Sequence, residues 1–115
     1  ELVGQLEDSL EVKSQALEFV KSAPNMSDEV HGRIHLSYGK TLLQTGRYDE
    51  AIGYLNEAYH SLSQVYSNEN QLSLSVYNNL AQAHLRKGSY KTALNFALKA
   101  KQVCDYLFET QTTSE

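Results

Sequence analysis

Residues 33–58, RIHLSYGKTLLQTGRYDEAIGYLNEA, and residues 75–100, SVYNNLAQAHLRKGSYKTALNFALKA, fall into one register. Gly88 stands over Gly46, Tyr90 over Tyr48, Ala93 over Ala51 and Ala100 over Ala58, each 42 residues further on. A fixed period with glycine, an aromatic and small residues at fixed phases marks a stacked repeat. Each unit of such a repeat covers its apolar face only against its neighbours. Residues 5–22 fit the same register one period earlier: Gly4 aligns with Gly46, and Leu6, Leu10 and Ala16 align with Tyr48, Ile52 and Ala58. Ser9 stands where Ala51 and Ala93 stand, one small residue for another.

Outward from that register, the punctuation is helical. The one proline and the six glycines fall largely between periodic segments. Residues 5–22 place Leu6, Leu10, Leu17 and Val20 at helical spacing, and Ala23-Pro24-Asn25 stops them, since proline disfavours helix in the residue before it. Ser27, Asp28 and Glu29 supply an N-cap and first-turn acids for a second helix. That helix is expected to reach about Gln44, with Ile34, Tyr38, Thr41 and Leu42 inward, and to break at Gly46. A third helix is predicted over 48–66, a polar loop over 67–70, a fourth helix over about 71–86 and a fifth over about 89–108. Residues 110–115 read as a flexible polar tail.

The expected architecture is therefore all-α. Five helices form antiparallel pairs, joined by short loops and stacked into an α-solenoid. Residues 1–109 form the repeat domain: the second helix of one repeat, then two full repeats at 28–66 and 71–108. Ala51, Ala58, Ala93 and Ala100 mark close helix approach, Gly46 and Gly88 release the turns, and Tyr48 and Tyr90 pack the start of each second helix. These are architectural roles.

The recurring string G-x-Y-x-x-A-(x)6-A, present from Gly46 to Ala58 and from Gly88 to Ala100, resembles the tetratricopeptide repeat. Tyr38-Gly39 and Leu80-Ala81 stand at that family's Leu-Gly step; His35 and Tyr77 replace its tryptophan, and His84 a tyrosine. The 42-residue unit exceeds the usual ~34 residues and lengthens the helices by roughly two turns, and Ser63 stands where a closing proline is usual. Long units of this kind, with the run Tyr77-Asn78-Asn79-Leu80-Ala81, are similar to the kinesin light chain subtype.

The resemblance implies a right-handed α-solenoid that serves as a binding scaffold, its concave groove lined by the first helix of each pair. The matching positions are Arg33, Ser37, Lys40 and Gln44 on one helix and Asn78, Asn79, Gln82 and Arg86 on the next. Steps of three and four put each set on one helical face. Asn and Gln offer both donor and acceptor to an extended peptide backbone, while Arg33, Lys40 and Arg86 favour acidic side chains or a carboxylate terminus. The bland alternative is a solvated polar face. Lys40 and Asn79 also suit the carboxylate clamp of the chaperone-binding subclass, but Leu36 and Gln82 break that pattern.

Charge agrees with an acidic partner. The net charge is −4, yet no acid occurs between Asn70 and Cys104, against Arg86, Lys87, Lys91, Lys99 and Lys101. Overall acidity argues against nucleic acid. No apolar run approaches the ~18 residues of a membrane span, and no signal-peptide pattern stands at Glu1-Leu2-Val3-Gly4. Without an initiator Met, the chain is expected to start mid-protein. Cys104 is the single cysteine, expected as a buried thiol, and points to a reducing, cytoplasmic setting.

Catalytic and metal chemistry find no support. His31 and His35 are spaced like paired ligands, but a metal site would need further ligands or the glutamate of H-E-x-x-H, and Arg33 sits between the two histidines instead. His35 and His84 read as core histidines, His84 with one hydrogen bond. No cofactor and no enzyme activity are expected. The competing reading is an assembly surface: Leu94, Phe96, Leu98, Val103, Tyr106, Leu107 and Phe108 leave apolar surface for further repeats or a second copy. A third is a regulatory module of a larger protein.

Overall fold

Ser27 begins the first helical hairpin as its sequence requires. Its hydroxyl accepts from the Val30 N–H at 3.2 Å, and Asp28 and Glu29 occupy the positive end of the helix dipole. The computed structural model describes residues 2–67 and 69–113, and all its regular structure is helical. The helices are α1 (Leu2–Ser22), α2 (Asp28–Gln44), α3 (Tyr48–Val65), α4 (Gln71–Lys87) and α5 (Tyr90–Thr113). No strand occurs among the described residues. The fold is an all-α helical-repeat solenoid, and its extents of 43 × 38 × 25 Å leave the thin dimension about two helix diameters deep.

The two intra-hairpin turns are built alike. Gly46 has φ +86° and Gly88 φ +88°, the left-handed conformation that only glycine adopts without a steric cost. In the first turn Arg47 N–H donates to Leu42 O at 3.0 Å and Gly46 N–H to Leu43 O at 3.1 Å. The second repeats it: Ser89 N–H donates to His84 O at 2.8 Å and Gly88 N–H to Leu85 O at 3.0 Å. Both turns are Schellman motifs that satisfy the last carbonyls of a helix. Between the hairpins, the loop hides a device that the linear pattern does not announce. Asn70 Oδ1 accepts from the Leu72 and Ser73 N–H groups while Ser73 Oγ accepts from Asn70 N–H at 2.7 Å, a reciprocal capping box.

α2 and α3 run antiparallel and touch through glycines that the register did not single out. Gly32 faces Leu62 and the Ala58 carbonyl, while Gly39 faces Leu55 and the Ala51 carbonyl. The steps of seven on both helices keep this seam straight. Ala51 and Ala58 are fully buried as expected, but the approach depends equally on missing side chains across the seam. Leu42, Leu55, Val76 and Leu80 fill the core that joins α2, α3 and α4. Leu10 and Leu17 pack α1 onto it, and Val20 is buried on the same helix.

α5 buries one narrow stripe: Ala93, Ala100 and Val103, with Phe96 and Leu107 half-buried beside them. Four expectations fail on α5 or beside it. Cys104 is exposed, because it lies one residue off that stripe. Tyr90 is 69% exposed whereas Tyr48 is half-buried, since the core cluster sits over α2 to α4 and α5 lies along its edge. The supposed tail continues the helix through Thr113; nothing between Ser89 and that point breaks it, and Thr110 Oγ1 donates to Tyr106 O at 2.8 Å. Residues 114 and 115 lie outside the described residues. His84 stacks on Phe96 at 5.6 Å between centroids, but its Nδ1 is buried without a hydrogen-bond partner. At the other end, Gly4 lies inside α1 and makes no turn.

Candidate functional site

Four of the eight groove residues gather in one place. Arg33, Ser37, Lys40 and Gln44 lie along one face of α2 and line a cavity of about 310 Å³. Leu36 and Thr41 of the same helix, Lys13 of α1 and Leu72 of α4 complete it. The N-cap at Ser27 and the turn at Gly46 set the length of α2, and its buried Leu42 and Leu43 fix which face turns outward.

The charges in this cavity are unequal in availability. Arg33 is engaged on its own helix: Nη2 and Nε each lie 3.1 Å from Glu29 Oε1, which also accepts from Tyr66 O–H at 3.0 Å. That hydrogen bond to Glu29 raises the guanidinium pKa further, so its charge is permanent and already partnered. Lys13 reaches in from α1. Its Nζ donates to Thr41 Oγ1 at 2.7 Å and to Ser37 O at 3.5 Å. Burial and then the charge of Lys40 push the Lys13 pKa down. Among the described residues, neither Lys13 nor Lys40 has an ion-pair partner.

The α4 set behaves differently. Asn78, Gln82 and Arg86 are exposed, and none of them lines the α2 cavity. Asn79 is half-buried, and its Nδ2 donates to the Ser75 carbonyl at 2.7 Å. The amide expected to bracket a peptide therefore spends a donor on its own helix. α4 contributes Leu72 to the cavity in place of any predicted residue.

A larger cavity of about 480 Å³ lies between α4, α5 and the loop before α4, lined by Ser67, Glu69, Tyr77, Lys99, Gln102, Val103 and Tyr106. It shares no residue with the α2 cavity. Tyr59 and Tyr77 hydroxyls lie 3.2 and 3.4 Å from Glu69 Oε1, and Glu69 Oε2 is buried with no partner. Burial, the Tyr59 hydroxyl and the Glu69 charge together push the Tyr77 pKa up. Lys99 Nζ stands 5.8 Å from the Tyr77 ring centre and 5.3 Å from that of Phe96. Its signal in the sequence was Glu69, the lone acid between Glu57 and Asp105.

His35 is buried, and its Nδ1 lies 2.6 Å from the His31 carbonyl, so the tautomer protonated there satisfies the ring. Its ring stands 5.9 Å from that of Tyr54, a packing role at the position predicted for one. Among the described residues no group of three or more His, Cys, Asp or Glu gathers to hold a metal ion. None of the helices is long and apolar enough to cross a membrane, over the same residues.

Comparison with known proteins agrees with the helical-repeat fold. A family model described as "Tetratricopeptide repeat" matches residues 30–105. The chain is 28% identical over 109 residues to "Tetratricopeptide repeat protein 19 homolog, mitochondrial" of Drosophila melanogaster. That alignment covers 90% of this chain and 30% of the relative, so the chain spans less than a third of that protein's length. No solved structure matches the chain significantly.

Proposed function

The chain belongs to the tetratricopeptide-repeat family, whose domains generally mediate protein–protein interaction, and on that premise we propose that it is a non-catalytic scaffold holding an extended acidic segment of a partner protein. The segment would run along α2 and across to α4. One observation carries this reading: Arg33, Ser37, Lys40 and Gln44 share a cavity in which Lys40, among the described residues, has no ion-pair partner. Arg86 and Gln82, exposed on α4, would meet the same segment further along. Asn79 takes a smaller part, since its amide already bonds to Ser75.

The test is fluorescence anisotropy with a fluorescein-labelled oligoglutamate. Lys40→Glu and Arg86→Glu should each weaken binding by about tenfold or more, as removal of a charge-assisted hydrogen bond does. Unchanged affinity in both variants would sink the proposal. An equal weakening in a Lys91→Glu control would reduce it to general electrostatics.

The finer parts of the reading belong to the same proposal. The 42-residue spacing suits the long units of the kinesin light chain subtype, with α1 as the second helix of one repeat and α2–α3 and α4–α5 as two full repeats. A reducing, cytoplasmic setting rests on the single cysteine; the relative's name assigns that relative to the mitochondrion, and localisation of a tagged full-length protein distinguishes the two.

A second reading rests on its own observation. Leu94 is 59% exposed, Leu98 49% and Phe108 67%, all on α5 outside its buried stripe. Such a face suits an assembly surface. If a second copy covers the face, sedimentation over a concentration series should show association that Leu98→Glu abolishes, and a strict monomer at high concentration excludes that dimer.

A further inference from the structure

α1 buries Leu10, Leu17 and Val20. The helical step from Leu10 to Leu17 passes through residue 13, so the core-facing stripe of α1 contains a lysine. In the 42-residue register Lys13 aligns with Leu55, which is fully buried in α3, and with Ala97 in α5. A charged residue at an apolar phase breaks the local pattern, and such breaks concentrate where function needs them. Lys13 is half-buried against α2, with two of its three donors used on neutral oxygens, Thr41 Oγ1 and Ser37 O. Thr41 Oγ1 donates in turn to Ser37 O at 3.2 Å, so the hydroxyl and the ammonium share one carbonyl.

Among the described residues this half-buried ammonium is held only by neutral acceptors, beside a second ammonium without an ion pair, an unbalanced arrangement. The remaining cation in the cavity, Arg33, already holds Glu29. We propose that Lys13 and Lys40 together seat one carboxylate of the bound segment in the cavity between α1 and α2. The ligand is an aspartate or glutamate side chain or a chain terminus. Gln44 supplies a further amide donor, and Leu36 and Leu72 supply apolar walls for the methylenes that carry the carboxylate. The site is thus completed across a repeat boundary, with Lys13 on α1 as its specificity-determining residue. This rests on the groove reading above and adds to it the place where an acidic residue is read.

The experiment follows the lysine side-chain signals by NMR in the native protein, titrated with sodium acetate, sodium phosphate or sodium chloride at matched ionic strength. Acetate should shift Lys13 and Lys40 together and saturably, with Lys91 moving no more than in chloride. Lys13→Met, which keeps the stem and removes the charge, should abolish the Lys40 shift and weaken oligoglutamate binding by about tenfold. A Lys13 response no larger than that of Lys91 overturns the site. Tighter binding of phosphate than of acetate overturns the carboxylate assignment. Oligoglutamate binding equally to wild type and Lys13→Met leaves the groove standing and removes the pocket. An acetate response without any oligoglutamate binding keeps the pocket and removes the groove. Because the titration is read on the unmutated chain, loss of fold in Lys13→Met does not decide the result.

Discussion

Gly39 lies so close to Leu55 that a β-carbon placed on it would sit 2.9 Å from Leu55 Cγ and 3.0 Å from Cδ2. One helical seam therefore depends on the absence of a methyl group. At Gly32 the equivalent atom would sit 2.5 Å from Leu62 Cγ and 2.7 Å from Cδ2. Gly53, on the exposed side of α3, has nothing within 4 Å. Gly39→Ala and Gly32→Ala are expected to destabilise by about 1–3 kcal/mol through overpacking, less the helix-propensity gain. Gly53→Ala should instead stabilise by about 0.5–1 kcal/mol. Urea unfolding of the three variants reads both signs in one experiment, and a stabilised Gly39→Ala would show that Leu55 moves aside freely.

The two turn glycines form a second matched pair. At φ +86° and +88° a β-carbon meets the backbone whatever space lies outside, so Gly46→Ala and Gly88→Ala should each cost about 1–2 kcal/mol. Asparagine tolerates this conformation better, so Gly88→Asn should cost less than Gly88→Ala. Equal losses from Asn and Ala would remove backbone strain as the cause.

Lys87 at the end of α4 pairs with Asp49 at the start of α3, across the repeat boundary. Asp49's side chain is 83% exposed, which leaves the pair open to water and salt. Lys87→Ala should therefore shift stability by less than about 1 kcal/mol, and the difference should vanish in about 1 M salt. A larger, salt-resistant loss in a thermal melt would mean that Lys87 holds the boundary by packing.

Alkaline pH should act through Tyr77. Burial first, then the Tyr59 hydroxyl and the Glu69 charge, raise its pKa above the ordinary tyrosine value of about 10. The folded state then keeps a proton that the unfolded state gives up. This contribution is present below about pH 10 and is lost as pH rises towards the folded value. Urea midpoints of wild type should fall more steeply than those of Tyr77→Phe between about pH 9 and 11. Parallel curves would assign the alkaline loss to other groups.

Acid pH should act through His84, whose pKa is lowered, by burial first and then by Lys87. A folded value below about 6.5 means that the unfolded state takes up the proton first. The contribution is whole above that pH and is lost as pH falls through it. His84→Gln should flatten the stability profile between about pH 7 and 5, and an unaltered slope there excludes His84 as the group responsible.

The helix count, the turns and their chemistry were legible from residues 1–115 because each depends on neighbours a few positions apart. Pro24 stops α1, Ser27 starts α2, and Gly46 and Gly88 close the two hairpins through local hydrogen bonds. The alanines marked close approach for the same reason: a repeated small residue at a fixed phase is a statement about space. The α2 half of the candidate groove was legible too, since steps of three and four name a face.

What the linear pattern did not contain is how much of each face its neighbours cover. Lys13 interrupts the apolar phase of α1 in the sequence, but only the packing of α1 on α2 brings it beside Ser37 and Thr41. Gly32 and Gly39 became a seam only when Leu62 and Leu55 were set against them. Asn79 offered a free amide on paper and bonds to Ser75 in the fold. Cys104 lies one residue off the buried stripe of α5, and Tyr90 shares the phase of the half-buried Tyr48 yet is exposed because α5 lies at the edge of the core. Propensity and capping act within one helix, over a turn or two. Burial and desolvation belong to pairs of helices, whose contact is set by residues distant in sequence.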